Sequence, residues 1–194
     1  PIFNNNDELY SQSKVIEMSK GCDGLLSSLT DKMDKETINK LPDTIKIISN
    51  FAVGFGNIDI AAAKKKKIIV TNTPDVLTNA TAEIAMLILL GAARRAKEGI
   101  QWVNKKNWKW SADFLMGQQL TGARLGILGM GRIGRAIANI ARSFGMIIHY
   151  HNRSQLDKNM EKGAVFHKTL ESLLSVSDFF SINCPSTAQT KHII

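Results

Sequence analysis

The chain has 194 residues, 44% hydrophobic and 22% charged, with a formal net charge of +8 at pH 7. That is material for one large domain or two small ones with buried cores, and a positive balance suits nucleic acid, acidic membranes or small anions. No membrane span is implied, because the longest apolar run, IAMLILLGAA at 84–93, is too short for a bilayer and lies between Glu83 and Arg94.

The opening PIFNNNDELY has neither the basic start nor the apolar stretch of a secretory signal, and it lacks the strand that normally begins an α/β sheet. GLLSS (24–28), IKIISNFA (45–52) and IIVTN (68–72) read as buried parallel strands, with helices DKETINKL (34–41) and IDIAAAKK (58–65) between them. Lys64 to Lys67 fall where a helix ends, so they complement its dipole and stay solvated. No aromatic-interleaved basic surface accompanies them, so no nucleic-acid partner is expected.

After Pro74 one long helix is expected from Thr81 to Val103, then an irregular stretch in which Trp108 and Trp110, with Trp102 before them, serve as packing anchors. From Arg124 a second α/β unit runs: strand RLGIL, a glycine turn, a helix through Phe144, strand MIIHY, a short AVF, helix TLESLLSV and strand DFFSIN. The division expected is residues 1–78, an intervening helix and loop at 79–121, and residues 122–194. A doubly wound nucleotide-binding sheet usually has about six strands, and only about four are visible after Arg124, so the chain reads as a fragment. Cys22 and Cys184 lack CxxC spacing, no metal site is indicated, and a reducing cytoplasm is the default compartment. His149, His151, His167 and His192 read as strand, turn or surface residues.

Gly129, Gly131 and Gly134 form GxGxxG between a strand and a helix, and 17 residues separate Gly134 from Asn152 at the tip of the next strand. This is the dinucleotide fingerprint spacing. Gly129 permits the tight turn, Gly131 lets the backbone approach a pyrophosphate, and Gly134 lets helix and strand pack closely. The amides of Arg132 and Ile133 then meet the phosphates at a helix N-terminus. At the strand tip an acid would accept both ribose hydroxyls of NAD and repel a 2′-phosphate. Asn152 carries no charge, Arg153 supplies a forked cation and Ser154 a hydroxyl, so NADP(H) is the expected cofactor and NAD(H) the alternative.

Three passages, SNFAVGFGNIDIAAAKKKKIIVTNTPDVLTNATAEIAMLILLGAARR, LTGARLGILGMGRIGRAIANIARSFGMIIHYHNRS and SDFFSINCPSTAQTKHII, together resemble the D-isomer-specific 2-hydroxyacid dehydrogenases, most closely the glyoxylate/hydroxypyruvate reductase branch. The resemblance implies an α/β protein of two lobes: an incomplete flavodoxin-like substrate domain and an incomplete Rossmann dinucleotide-binding domain. It implies that amides at Val53 and Gly54 hold the carboxylate of a small anionic 2-oxo acid, as a glycine turn after a strand allows. It also implies that the helix TAEIAMLILLGAARR enters homodimer contacts, and that Cys184, Pro185 and Thr190 lie beside the nicotinamide. The family's catalytic Arg, Glu and His are expected beyond Ile194. The activity implied is reduction of glyoxylate or hydroxypyruvate with NADPH. The alternatives are an NAD-dependent phosphoglycerate- or lactate-type relative and a dinucleotide-sensing corepressor-like scaffold. The isolated 194 residues are expected to bind cofactor without turnover, and measurable hydroxypyruvate reduction by them would overturn that expectation.

Overall fold

Ser11 starts the first element: its hydroxyl accepts the Lys14 amide and opens α1 (Gln12–Met18). The computed structural model describes residues 2–6, 8–105 and 110–194. Strand β1 (Gly24–Ser28) is followed by α2 (Lys35–Lys40), β2 (Ile47–Phe51), α3 (Ile60–Lys65) and β3 (Ile69–Thr71). Carboxylates cap both later helices, Asp34 accepting the Thr37 amide and Asp59 the Ala62 amide. The strands are parallel in the order β1-β2-β3, as the alternation of strand and helix patterns led one to expect. Ile38, Ile45, Ile48, Ile58 and Ile68 fill the core between this sheet and its helices. Helix α1 buries no residue completely, which explains why its sequence carries little apolar periodicity.

The lysine run ends α3 as expected, with Lys64 and Lys65 in the last turn. Lys66 departs from the solvated reading. Its ammonium donates to the carbonyls of Asn39 and Leu41, which the end of α2 leaves without helical partners.

Residues up to Leu77 form one unit and those from Thr78 a second. The second begins with α4 (Thr78–Ala93) and α5 (Ala96–Asn104), so the single helix expected over 81–103 is two. The break has a long-range cause. Arg95 takes a left-handed φ of 54°, and the Ala93 carbonyl accepts the amide of Gln118, at 2.8 Å, from the far end of the Trp-rich stretch. A Cβ on Gly117 would lie 2.2 Å from that carbonyl oxygen, so glycine is required for the return. Within the same stretch Trp102 packs edge-on against Phe114, ring centres 5.1 Å apart, whereas Trp110 is 75% exposed and has no ring partner among the described residues. Trp108 lies outside the described residues.

Then follow β4 (Arg124–Leu128), α6 (Arg132–Ser143), β5 (Ile147–His151), the short α7 (Lys158–Glu161), β6 (Val165–Phe166), α8 (Leu170–Leu174) and β7 (Phe179–Ile182). All four strands are parallel, in the order β6-β5-β4-β7. The chain therefore moves outward in one direction from β4 through β5 to β6, then crosses back to the other side of β4. That reversal is the topological switch point of a doubly wound sheet, where ligands bind at the carboxyl ends of the strands. Ala82, Met86 and Ala93 of α4 share a core with Ile137, Ala138 and Ala141 of α6, so small residues let the two helices approach closely. At the opposite edge Arg124 grips Asp178 through two nitrogens at 2.9 and 3.0 Å, pinning the starts of β4 and β7 and holding the carboxyl down at about 2.

His149 on β5 and His167 after β6 share a hydrogen bond of 2.9 Å between Nδ1 and Nε2, and His167 Nδ1 meets Ser172 Oγ of α8 at 3.1 Å. Burial first, then His167 and Arg124, lower the His149 pKa from its ordinary 6.5, against a smaller opposing pull from Asp178. A depressed histidine pKa contributes stability that is whole above about pH 6.5 and disappears as the pH falls through the lower folded value. Thermal melts from pH 7 to pH 5 should show the melting temperature falling. The fall should be shallower in His149→Asn, and equal falls in both proteins would refute this account.

Candidate dinucleotide site at the switch point

Three segments meet where β4 ends. Gly129 has φ of 93°, donates its amide to the His151 carbonyl at the end of β5, and begins the turn into α6. A Cβ there would stand 2.7 Å from the Cys184 nitrogen and 2.8 Å from the Asn183 carbonyl carbon, both just after β7. Gly129 is thus constrained twice, by its torsion and by the approach of a neighbouring backbone. A Cβ on Gly134 would lie 2.4 Å from the Gly129 oxygen, so the first turn of α6 can press on the glycine turn only without a side chain.

Gly131 is different in kind. Its φ is an ordinary −74°, and a Cβ on it would meet nothing within 4 Å. The protein itself makes no demand for glycine at this position, whereas a ligand approaching the backbone would. No side chain among the described residues caps α6, although Ser11, Asp34, Asp59 and Thr169 cap α1, α2, α3 and α8. The amides of Arg132 and Ile133 open this twelve-residue helix, where the positive end of the dipole favours an anion. Open space at Gly131 and an uncapped N-terminus fit a pyrophosphate.

Asn152, one residue past β5, sends its side-chain oxygen to the Met130 amide at 2.7 Å. Because an amide N–H can only donate, this bond fixes which end of the carboxamide faces the turn. The Nδ2 donors are left for the outer side. Arg153 and Ser154 follow, both exposed, and among the described residues neither side chain has a protein partner. At the end of β7, Cys184 is half-buried beside Gly129, and the loop after it is closed by Thr190, whose hydroxyl donates to the Pro185 carbonyl at 2.6 Å and accepts the Thr187 amide at 2.8 Å. Thr190 is therefore occupied in shaping the loop. Gly129, Asn152 and Cys184 stand together at the carboxyl edge of one sheet.

Val53 and Gly54 lie in the first unit, after β2. Asn72 donates to the Val53 carbonyl at 2.8 Å, Asn50 to the Gly54 carbonyl at 2.9 Å, and the Thr73 amide to the Ala52 carbonyl at 3.0 Å. Asn50 is only 2% exposed, and its oxygen accepts from Ser27 Oγ, while Asn57 ties the turn to the Ser28 and Asp31 carbonyls. Three consecutive carbonyls are thus engaged. Among the described residues the amides of Val53, Gly54 and Phe55 donate to no protein acceptor, and a Cβ on Gly54 would meet nothing within 4 Å. Successive amides left over in a turn are the kind of donors that can hold a small anion. The asparagines that build it were not singled out from sequence, since nothing about an isolated Asn reveals which carbonyl it will reach.

Residues 86–194 match the family model described as the D-isomer specific 2-hydroxyacid dehydrogenase, NAD binding domain. This chain belongs to the D-isomer-specific 2-hydroxyacid dehydrogenase family. It is 43% identical over 194 residues to the glycerate dehydrogenase of Hyphomicrobium methylovorum, covering 98% of this chain and 60% of that protein. It is 42% identical to the glyoxylate reductase of Korarchaeum cryptofilum, covering 95% of this chain and 56% of that protein. The solved structure of a glyoxylate reductase from Paecilomyes thermophila superposes with a TM-score of 0.84 at 37% identity, over 94% of this chain and 58% of that one. The chain thus spans 56–60% of the length of these relatives. The two-sheet parallel α/β fold and the Rossmann dinucleotide-binding unit are those of the family.

The glycines separate binding from folding. Gly134→Ala must displace backbone, so it should cost about 1–3 kcal/mol in denaturant unfolding and weaken dinucleotide binding with it. Gly131→Ala adds a methyl to open space, so it should cost less than about 1 kcal/mol while weakening NADPH and NADH binding at least about tenfold. Loss of stability at Gly131 equal to that at Gly134 would refute the assignment.

Proposed function

We propose that the chain is the dinucleotide-binding part, and a portion of the substrate lobe, of a reductase that converts glyoxylate or hydroxypyruvate to the D-2-hydroxy acid with a preference for NADPH. The observation that carries the cofactor preference is the bond from the Met130 amide to the Asn152 side-chain oxygen. It leaves the strand tip presenting N–H donors, where an acid would present a second acceptor oxygen. Arg153 follows directly, and a guanidinium paired with a phosphate monoester supplies a charge-assisted, two-pronged bond. The names of the relatives support the substrate class.

On this reading the amides of Arg132 and Ile133 receive the pyrophosphate, with Gly131 leaving room for it. Asn152, Arg153 and Ser154 hold the phosphorylated ribose, and Cys184, Pro185 and the loop closed by Thr190 border the nicotinamide half. When bound, the dinucleotide supplies the hydride. Val53 and Gly54 orient the substrate by holding its carboxylate on their amides, which fixes the 2-oxo group before chemistry begins. The net charge of +8 favours approach of both anionic ligands. The working form on this proposal is a cytoplasmic homodimer, which would cover the apolar side chains that α4 exposes, Ile84 at 56%, Leu87 at 64% and Ile88 at 66%.

The test is the pair of dissociation constants for NADPH and NADH, with turnover of the whole enzyme on glyoxylate, hydroxypyruvate and pyruvate. NADPH should bind about tenfold tighter or better, equivalent to about 1.4 kcal/mol, and Arg153→Ala should remove most of that margin. A margin of the same size in favour of NADH would sink the cofactor assignment.

A further inference from the structure

The loop bearing Arg153 and Ser154 is tied at both ends. At its start Asn152 accepts the Met130 amide at 2.7 Å, and at its end the Leu156 amide donates to the Tyr150 hydroxyl at 2.9 Å. Only Arg153, Ser154 and Gln155 lie between the two ties. Tyr150 is 0% exposed, and its ring belongs to the core and leans on Phe166 with centres 5.3 Å apart, so its hydroxyl is a fixed post. That hydroxyl donates onward to Glu161 Oε1 at 2.6 Å, and the same oxygen accepts Gln155 Nε2 at 2.9 Å. Glu161 is anchored in turn, because its main-chain carbonyl accepts Arg142 Nη2 of α6 at 2.7 Å.

A phenylalanine would fill the core at position 150 equally well. Among the described residues the hydroxyl serves only the loop and the end of α7, and burying it there is tolerable because both of these partners are present. We infer that Tyr150 and Glu161 are positioning residues for cofactor discrimination, holding Arg153 and Ser154 in the place that receives a 2′-phosphate. This inference rests on the reading of those two residues given above. Its physical content is preorganisation: a three-residue span held at both ends loses less freedom when its side chains close on an anion than one held at a single end. The ties persist across the neutral range. Burial and the Glu161 bond push the Tyr150 hydroxyl up to about 12, and the bonds from Tyr150 and Gln155 hold the Glu161 carboxyl below its ordinary range.

The experiment measures NADPH and NADH dissociation constants, by quenching of protein fluorescence, for the unaltered protein and for Tyr150→Phe, Glu161→Ala, Glu161→Gln and Arg153→Ala. Tyr150→Phe and Glu161→Ala should each weaken NADPH about fivefold while moving NADH less than about twofold. Glu161→Gln keeps an oxygen acceptor for Tyr150 and should retain most of the discrimination. Equal weakening of both cofactors, or of neither, overturns the inference, and Glu161→Ala at a half-buried position decides the matter if Tyr150→Phe fails to fold. Arg153→Ala separates the two layers. If it abolishes discrimination while the other variants leave it intact, only the positioning role falls; if it leaves discrimination intact, the assignment of the 2′-phosphate falls with it.

Discussion

At Gly129 the backbones of three elements come within contact of one another. Strand β4 ends there, the residues after β7 pass within 3 Å of where its Cβ would be, and the first turn of α6 rests on its carbonyl through Gly134. Two missing side chains therefore set the direction of α6. With any larger residue at either position the helix would be lifted from the sheet, and its N-terminus would no longer open at the carboxyl edge between β4 and β7. The crevice that a parallel sheet creates at its point of reversal is a consequence of topology, but its floor of backbone amides depends on this one close approach.

The two candidate anion sites reach the same end by different means. At α6 the donors are those that every helix leaves over at its start, and no side-chain cap among the described residues closes this helix. In the turn after β2 no helix is involved. There Asn50, Asn72 and the Thr73 amide draw the Gly54, Val53 and Ala52 carbonyls to one side, so that the intervening amides are left for the other. Burying Asn50 at the centre of that arrangement demands that its polar atoms be satisfied, and the Ser27 hydroxyl and the Gly54 carbonyl do so. The rigidity of the turn comes from side chains whose own chemistry is remote from any ligand.

What could be read from the sequence follows from how local its cause is. The strands and the GxGxxG turn announce themselves because apolar alternation, glycine spacing and chain direction act within about thirty residues. The break between α4 and α5 does not, since its cause is the Gln118 amide returning to the Ala93 carbonyl from the far end of the Trp-rich stretch. Arg94 and Arg95 look like ordinary helix residues until that competitor arrives. Lys66 escapes a local reading for the same reason: its sequence position says helix end, while its ammonium is taken by carbonyls at the end of a different helix. In the site, the identity of Asn152 was legible and its orientation was not. Nor could Tyr150, an apolar strand residue by pattern, disclose that its hydroxyl lands on the loop that follows it.

The bond to Met130 gives the residue at position 152 two separable duties. One oxygen fastens the strand tip to the glycine turn, and aspartate or asparagine performs that duty alike, since either offers an acceptor to the amide. The other terminal atom faces outward, and there the two residues are opposites: aspartate offers a charged acceptor, which suits two ribose hydroxyls, while asparagine offers N–H donors and no charge. Exchanging oxygen for an NH2 group thus changes the sign of the outer surface without disturbing the inner anchor. Evolution of cofactor preference at such a site needs no rearrangement of the fold, because the anchoring atom and the discriminating atom share one side chain and answer to different partners. On the proposed reading, the arginine that follows acts on a surface whose repulsion toward phosphate has already been removed.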